Sequence, residues 1–233
     1  GDGNTGIGAS ALTANTTASN NTAVGFLALA TNTTGATNTA LGRSALTANT
    51  TASYNTAVGY AALAANTTGA DNVAIGYNAL DANTTGANNT ALGTQALTAN
   101  TTADSNTAVG KNSLKANTTG QKQVAIGVNA LFTNTDGEYN TAVGEGALYN
   151  NNADGNTALG RSAAYSVTTG ADNVALGYQA LFATTTGADC VAVGVYALDA
   201  NTTGGSNVAV GKQSLSTSTT GSNNTALGHR ALY

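Results

Sequence analysis

The chain has 233 residues, a formal net charge of −4 and charged side chains at only 8% of its positions. It contains no Pro, Met or Trp, and one Cys and one His. That composition excludes a disulfide framework and a clustered basic surface for nucleic acid, and no apolar run approaches the roughly 20 residues of a membrane-spanning helix. No signal peptide is visible. The chain lacks an initiator Met and starts and stops inside a repeat, so it is expected to be a piece of a longer protein.

From its first residues the sequence repeats itself. A glycine closing an Ala-aliphatic-Gly triplet (Gly-Ile-Gly in the first) falls at Gly8, Gly25, Gly42, Gly59, Gly76, Gly93, Gly110, Gly127, Gly144, Gly160, Gly177, Gly194, Gly211 and Gly228. Of the 13 intervals, 12 are 17 residues long and one, Gly144 to Gly160, is 16. A short fixed period marks a repeat architecture, and no linker interrupts it, so residues 1–233 are expected to form one domain. Seventeen residues are too few for a helix pair or a strand-helix unit. Each unit is also rich in Gly, Thr and Asn, which are poor helix formers.

The unit reads N-T-A-V-G-x-x-A-L-x-x-N-T-T-G-x-x. N-T-A-V-G predicts a short strand, x-x-A-L a second extended piece, and N-T-T-G-x-x a turn in which Asn and Gly adopt left-handed backbone. One unit is then one coil of an all-β, parallel β-solenoid, and 14 coils stacked about 4.8 Å apart make a rod roughly 65 Å long.

Aliphatic residues precede every marker glycine, from Ile7 and Val24 through Val109 to Leu227, and Leu follows four residues after each, from Leu12 to Leu232, with Ala164 the exception. Both columns are predicted to be core. The nearly invariant Ala column (Ala23, Ala40, Ala57) implies a space too tight for anything larger. The Thr/Val column before it (Thr56, Val73, Thr90) lies on the same strand face as the aliphatic residue and is expected to be partly buried. The strand-opening Asn column, interrupted by Gln123 and Cys190, predicts a ladder of stacked amides, and a second Asn column from Asn15 to Asn134 and at Asn201 predicts another in the turn. Cys190 is expected to be a partly buried free thiol.

The first seven coils follow the consensus closely. Their Asn-Thr-Thr triplets match the N-glycosylation sequon at Asn15, Asn32, Asn49, Asn66, Asn83, Asn100 and Asn117, as does Asn201 later on, and turn chemistry accounts for all eight. Farther along, Phe132, Tyr149, Tyr165 and Phe182 occupy one column in four consecutive coils, alongside the short coil and Ala164. These rings are expected either to cover a locally thinned core or to offer a strip to a partner or a glycan, with burial the favoured reading. Tyr60, Tyr77 and Tyr178, directly after marker glycines, are scattered hints of the same kind. Charges sit in variable columns: Arg43, Lys111, Glu145, Arg161 and Lys212 after the glycine; Asp81, Lys115 and Asp199 four positions later; Asp71, Lys122, Asp172 and Asp189 before the Asn column. All are predicted to be solvated. His229 has no partner at a catalytic or metal-binding spacing. No catalytic residue, metal site or cofactor is predicted.

N-V-A-I-G at residues 72–76 and Q-V-A-I-G at 123–127 resemble the core motif of the head domains of trimeric autotransporter adhesins. The longer run N-T-A-L-G-x-x-A-L-x-x-N-T-T-G resembles repeats of bacterial and phage tail-fibre proteins. The resemblance implies a left-handed parallel β-roll, three chains side by side, displayed on a cell or virion surface, with adhesion or receptor contact as the function. The heads have shorter coils, near 14 residues, so the N-T-T-G turn here adds about three. The expected function is a structural extracellular fibre segment that spaces or presents a binding surface, as a homotrimer, with a cell-surface glycan or protein receptor as partner and no nucleic acid. The alternatives are a filament that grows end to end and an ice-binding or glycan-binding solenoid. Ice binding calls for a regular T-x-T on a flat face, whereas the paired Thr here are adjacent and lie in a turn.

Overall fold

The computed structural model describes residues 1–233 and contains fourteen strands and no helix. The chain forms two compact units, Gly1–Thr119 and Gly120–Tyr233. In the first, the strands are β1 (Thr5–Ile7), β2 (Thr22–Val24), β3 (Thr39–Leu41), β4 (Thr56–Val58), β5 (Val73–Ile75), β6 (Thr90–Leu92) and β7 (Thr107–Val109). In the second they are β8 (Val124–Ile126), β9 (Thr141–Val143), β10 (Thr157–Leu159), β11 (Val174–Leu176), β12 (Val191–Val193), β13 (Val208–Val210) and β14 (Thr225–Leu227). Within each unit every strand pairs in parallel with the next in chain order, and the columns align residue for residue, as in Thr56↔Val73, Ala57↔Ala74 and Val58↔Ile75. Each unit is therefore a parallel β-solenoid with about one coil per repeat, as the period predicts.

Only one segment of each coil is strand. The x-x-A-L piece, expected to be extended, is a turn in which two residues take left-handed backbone: Ala61 at φ 51° and Leu63 at 54°, Asn78 at 50° and Leu80 at 53°. A β-branched side chain is strongly disfavoured there, and neither column contains a Val, Ile or Thr. Coils remain joined through this turn by backbone bonds that run both ways along the stack. Ala61 N donates to Arg43 O of the preceding coil at 2.9 Å, and Leu63 N to Ala79 O of the next at 3.0 Å. The marker glycines are required by contact as well as by conformation. At Gly59, with φ 134°, a Cβ would stand 2.5 Å from the carbonyl oxygen of Gly76.

Of the two columns expected to be core, the structure buries one. The Leu column (Leu29, Leu46, Leu63, Leu80 and Leu97 in the first unit; Leu131, Leu148, Leu181 and Leu198 in the second) is fully enclosed together with the Ala column. The aliphatic residue before each glycine points the other way. Leu41 is 47% exposed and Leu159 51%, and Val109, expected inside, is only partly covered. The reason lies in the width of the coil. A Cβ placed on Gly6, which stands in the Ala column, would lie 3.5 Å from Leu12 Cδ1. The inward strand position thus has room for one methyl group, and any larger aliphatic side chain must face out.

Two buried amide columns complete the interior. In the turn column the ladder is amide to amide: Asn66 Nδ2 donates to Asn49 Oδ1 at 3.1 Å and to Gly69 O at 2.9 Å. In the strand-opening column the linkage differs from simple stacking. Asn55 Oδ1 accepts the backbone N–H of Asn72 in the next coil at 2.9 Å, while Asn55 Nδ2 reaches across its own coil to Gly69 O at 3.0 Å. Both amides of one coil therefore converge on a single turn carbonyl. Fully buried polar groups are tolerated here because they are hydrogen-bonded, save at Asn201 Oδ1, which has no partner.

Candidate functional site

The most extended surface feature in each unit is the outward face of the strands. In the first unit it carries Val24, Leu41, Val58, Ile75, Leu92 and Val109 in one row and the partly or fully exposed Thr22, Thr39, Thr56, Val73, Thr90 and Thr107 in the row beside it. In the second unit the rows are Ile126, Val143, Leu159, Leu176, Val193, Val210 and Leu227, beside Val124, Thr141, Thr157, Val174, Val191, Val208 and Thr225. Parallel, in-register pairing turns these side chains into continuous stripes at strand spacing, about 4.8 Å. The stripe was legible in the sequence as a column, but its outward orientation was not.

The ring ladder expected in the second unit is present. Phe132 and Tyr149 stack with centroids 5.0 Å apart, Tyr149 and Tyr165 at 4.9 Å, and Tyr165 and Phe182 at 5.5 Å, with interplanar angles of 13°, 15° and 21°. All four rings are half-buried, as are Thr47 and Thr98 in the equivalent column. Tyr165 lies over Gly146, where a Cβ would stand 3.4 Å from its ring. Both faces of Tyr149 and of Tyr165 are occupied by neighbouring rings, so their outward parts are ring edges. A sugar ring has no open face on either to stack against. Ala164 is buried below the column, and in the same coil Val167 replaces the ladder Asn, returning apolar volume where Ala164 removes it.

A second stack stands in the first unit, directly after the marker glycines. The Arg43 guanidinium carbon lies 5.7 Å from the Phe26 ring centroid and 5.6 Å from that of Tyr60, and Tyr60 stacks on Tyr77 at 5.4 Å with 14° between planes. In the second unit Arg161 Nη2 donates to Tyr178 Oη at 2.8 Å and packs over its ring, which meets Tyr196 edge-on at 78°.

Charges expected to be solvated divide into two groups. Those beside the strand, Arg43, Lys111, Glu145, Arg161, Lys212, Asp71, Lys122, Asp172 and Asp189, are exposed. Asp81, Lys115 and Asp199 are half-buried instead, and burial pushes both carboxyls above their usual value. For Asp81 the Thr98 hydroxyl, 3.2 Å from Oδ1, partly offsets that push. Asp199 Oδ1 is buried with no hydrogen-bond partner. Cys190 takes the place of a ladder Asn, with its N–H donating to Asn173 Oδ1 at 3.0 Å and its Sγ 3.4 Å from Gly204 O. Burial raises its thiol pKa, so the reactive thiolate is suppressed. His229 is exposed. No group of three or more His, Cys, Asp or Glu is placed to hold a metal ion, and the surface has no pocket.

Seven of the eight Asn-Thr-Thr asparagines (Asn32, Asn49, Asn66, Asn83, Asn100, Asn117 and Asn201) are fully buried, their amides committed to the turn. The folded chain cannot present them to a glycosyltransferase. Three further Asn-x-Thr matches, at Asn20, Asn88 and Asn223, are exposed and fall on the residue before the strand-opening Asn.

No protein-family model matches the chain, and no curated protein or solved structure matches it. What the fold defines is a class, the parallel β-solenoids.

Proposed function

We propose that the chain is a structural segment of an extracellular fibre, built from three copies side by side, whose outward aliphatic stripe is the surface between chains. The observation that carries this reading is the exposed aliphatic column. A large hydrophobic side chain recurs outward in every coil, where a chain standing alone in water has no use for it, and contiguous apolar patches mark contact surfaces. The Thr/Val row beside it is compatible with the same contact, since each of its residues carries a methyl group on the same face. The dispersal of ionisable groups in variable columns along the stack supports a scaffold reading. The resemblance of the N-V-A-I-G motif to adhesin heads supports both the number of chains and the extracellular setting.

Sedimentation tests the reading. The chain should sediment as a trimer, and replacing Leu41, Ile75 and Leu92 with Asp should yield a monomer that keeps its β-type circular dichroism. A wild-type chain that sediments as a monomer at all accessible concentrations would sink the proposal.

A further inference from the structure

We propose that Tyr60 and Tyr77 form an oxidative coupling site, at which a dityrosine bond joins two adjacent coils of the first unit. The inference does not depend on the fibre reading, because the bond lies within one chain.

The repeat creates the geometry. Each tyrosine directly follows a marker glycine, Gly59 or Gly76, so the two leave equivalent backbone positions one coil apart. Their rings stack with centroids 5.4 Å apart and 14° between planes. Because the two rings leave equivalent positions one coil apart and are nearly parallel, the carbon ortho to one phenol oxygen is displaced by about one strand spacing, ~5 Å, from the same carbon in the other ring. Tyr60 is 44% exposed and Tyr77 51%, which admits an oxidant and leaves the rings room to tilt together. Arg43 covers the opposite side of Tyr60, so Tyr77 is the phenol that Tyr60 meets in this stack.

Peroxide, activated by a haem peroxidase, is the oxidant class that fits exposed phenols. Each ring gives up one electron and one proton, and the two phenoxyl radicals join through their ortho carbons. The hydrogens displaced from those carbons return to the oxygens as the rings rearomatise. Overall, the two tyrosines lose two electrons and two protons, which reduce one hydrogen peroxide to two waters.

The other tyrosine pairs lack this combination. Tyr149 and Tyr165 are closer, at 4.9 Å, but each is held between two rings and half-buried. Tyr178 and Tyr196 meet edge-on, and Arg161 pins Tyr178. Oxidation should therefore select Tyr60 and Tyr77.

The test treats the intact chain, dilute, with a haem peroxidase and hydrogen peroxide, followed by digestion and mass spectrometry. The expected product links the Tyr60 and Tyr77 peptides with loss of two hydrogens, and runs as a single chain on a denaturing gel. Tyr60→Phe and Tyr77→Phe keep the stacked ring, so circular dichroism should be unchanged while each variant loses most of the dityrosine fluorescence. Tyr149→Phe should retain it. Links formed mainly between chains, a dominant Tyr149–Tyr165 product, or no link under conditions that couple free tyrosine would each overturn the proposal.

Discussion

Leu63 and Leu41 are chemically identical, yet their places in the coil give them opposite roles. Leu63 is fully enclosed, whereas nearly half of Leu41 meets solvent. Truncating Leu63 to Ala should cost about 2–5 kcal/mol, the range for a large-to-small change in a packed core, readable in a denaturant melt. The same truncation of Leu41 should leave the stability of a single chain nearly unchanged. Asp199 sets a different residue-level test. Burial raises its carboxyl pKa in the fold, so the fold favours the protonated form. The stability gained from that preference is present below the ordinary carboxylate pKa of about 3.9 and is lost as pH rises through the raised value. Asp199→Asn should therefore raise the melting temperature at pH 7 and make little difference at pH 3. A lower melting temperature at pH 7 would mean that the buried carboxylate is compensated in the folded chain.

At the level of the coil, the left-handed turn positions explain a preference that hydrophobicity alone does not. Leu80 is buried at φ 53°, where unbranched Cβ substituents are accommodated and β-branched ones are not. Leu80→Ile preserves volume but should cost about 1–3 kcal/mol more than Leu80→Met, because the strain is in the backbone rather than the packing. Equal melts for the two variants would show that shape, not conformation, selects Leu. The amide ladder offers an independent check. Asn66→Ala removes the donor to Asn49 Oδ1 inside a sealed interior and should cost roughly 1–3 kcal/mol. Thr68→Ala, at an exposed position with ordinary backbone, should fall within about 0.5 kcal/mol.

For the whole molecule, the thin interior has a direct consequence. A coil lined by Ala, Leu and Asn encloses little apolar volume, and its larger aliphatic side chains remain outside. Burying them against further copies would supply the hydrophobic stabilisation that the narrow interior omits. A concentration-dependent melting temperature is expected on that basis, and it should disappear in the Leu41, Ile75 and Leu92 to Asp variant. A melting temperature independent of concentration in the wild-type chain would speak against assembly.

The period, the parallel stacking and the identity of each column follow from the residues alone, because a 17-residue repeat admits one register and a mismatch would break every column at once. The ring ladder of Phe132, Tyr149, Tyr165 and Phe182 was legible for the same reason. The orientation of the strand was not. Period-two alternation says that Ala57 and Val58 face opposite ways, but not which of them is inside. The closed coil decides that, since its interior admits one methyl group at the strand and reserves the remaining space for Leu63 and the amides. The turn conformation at Ala61 and Leu63 was hidden likewise: alternating left-handed residues leave no hydrophobic period, and only backbone bonds to the coils on either side hold them in place.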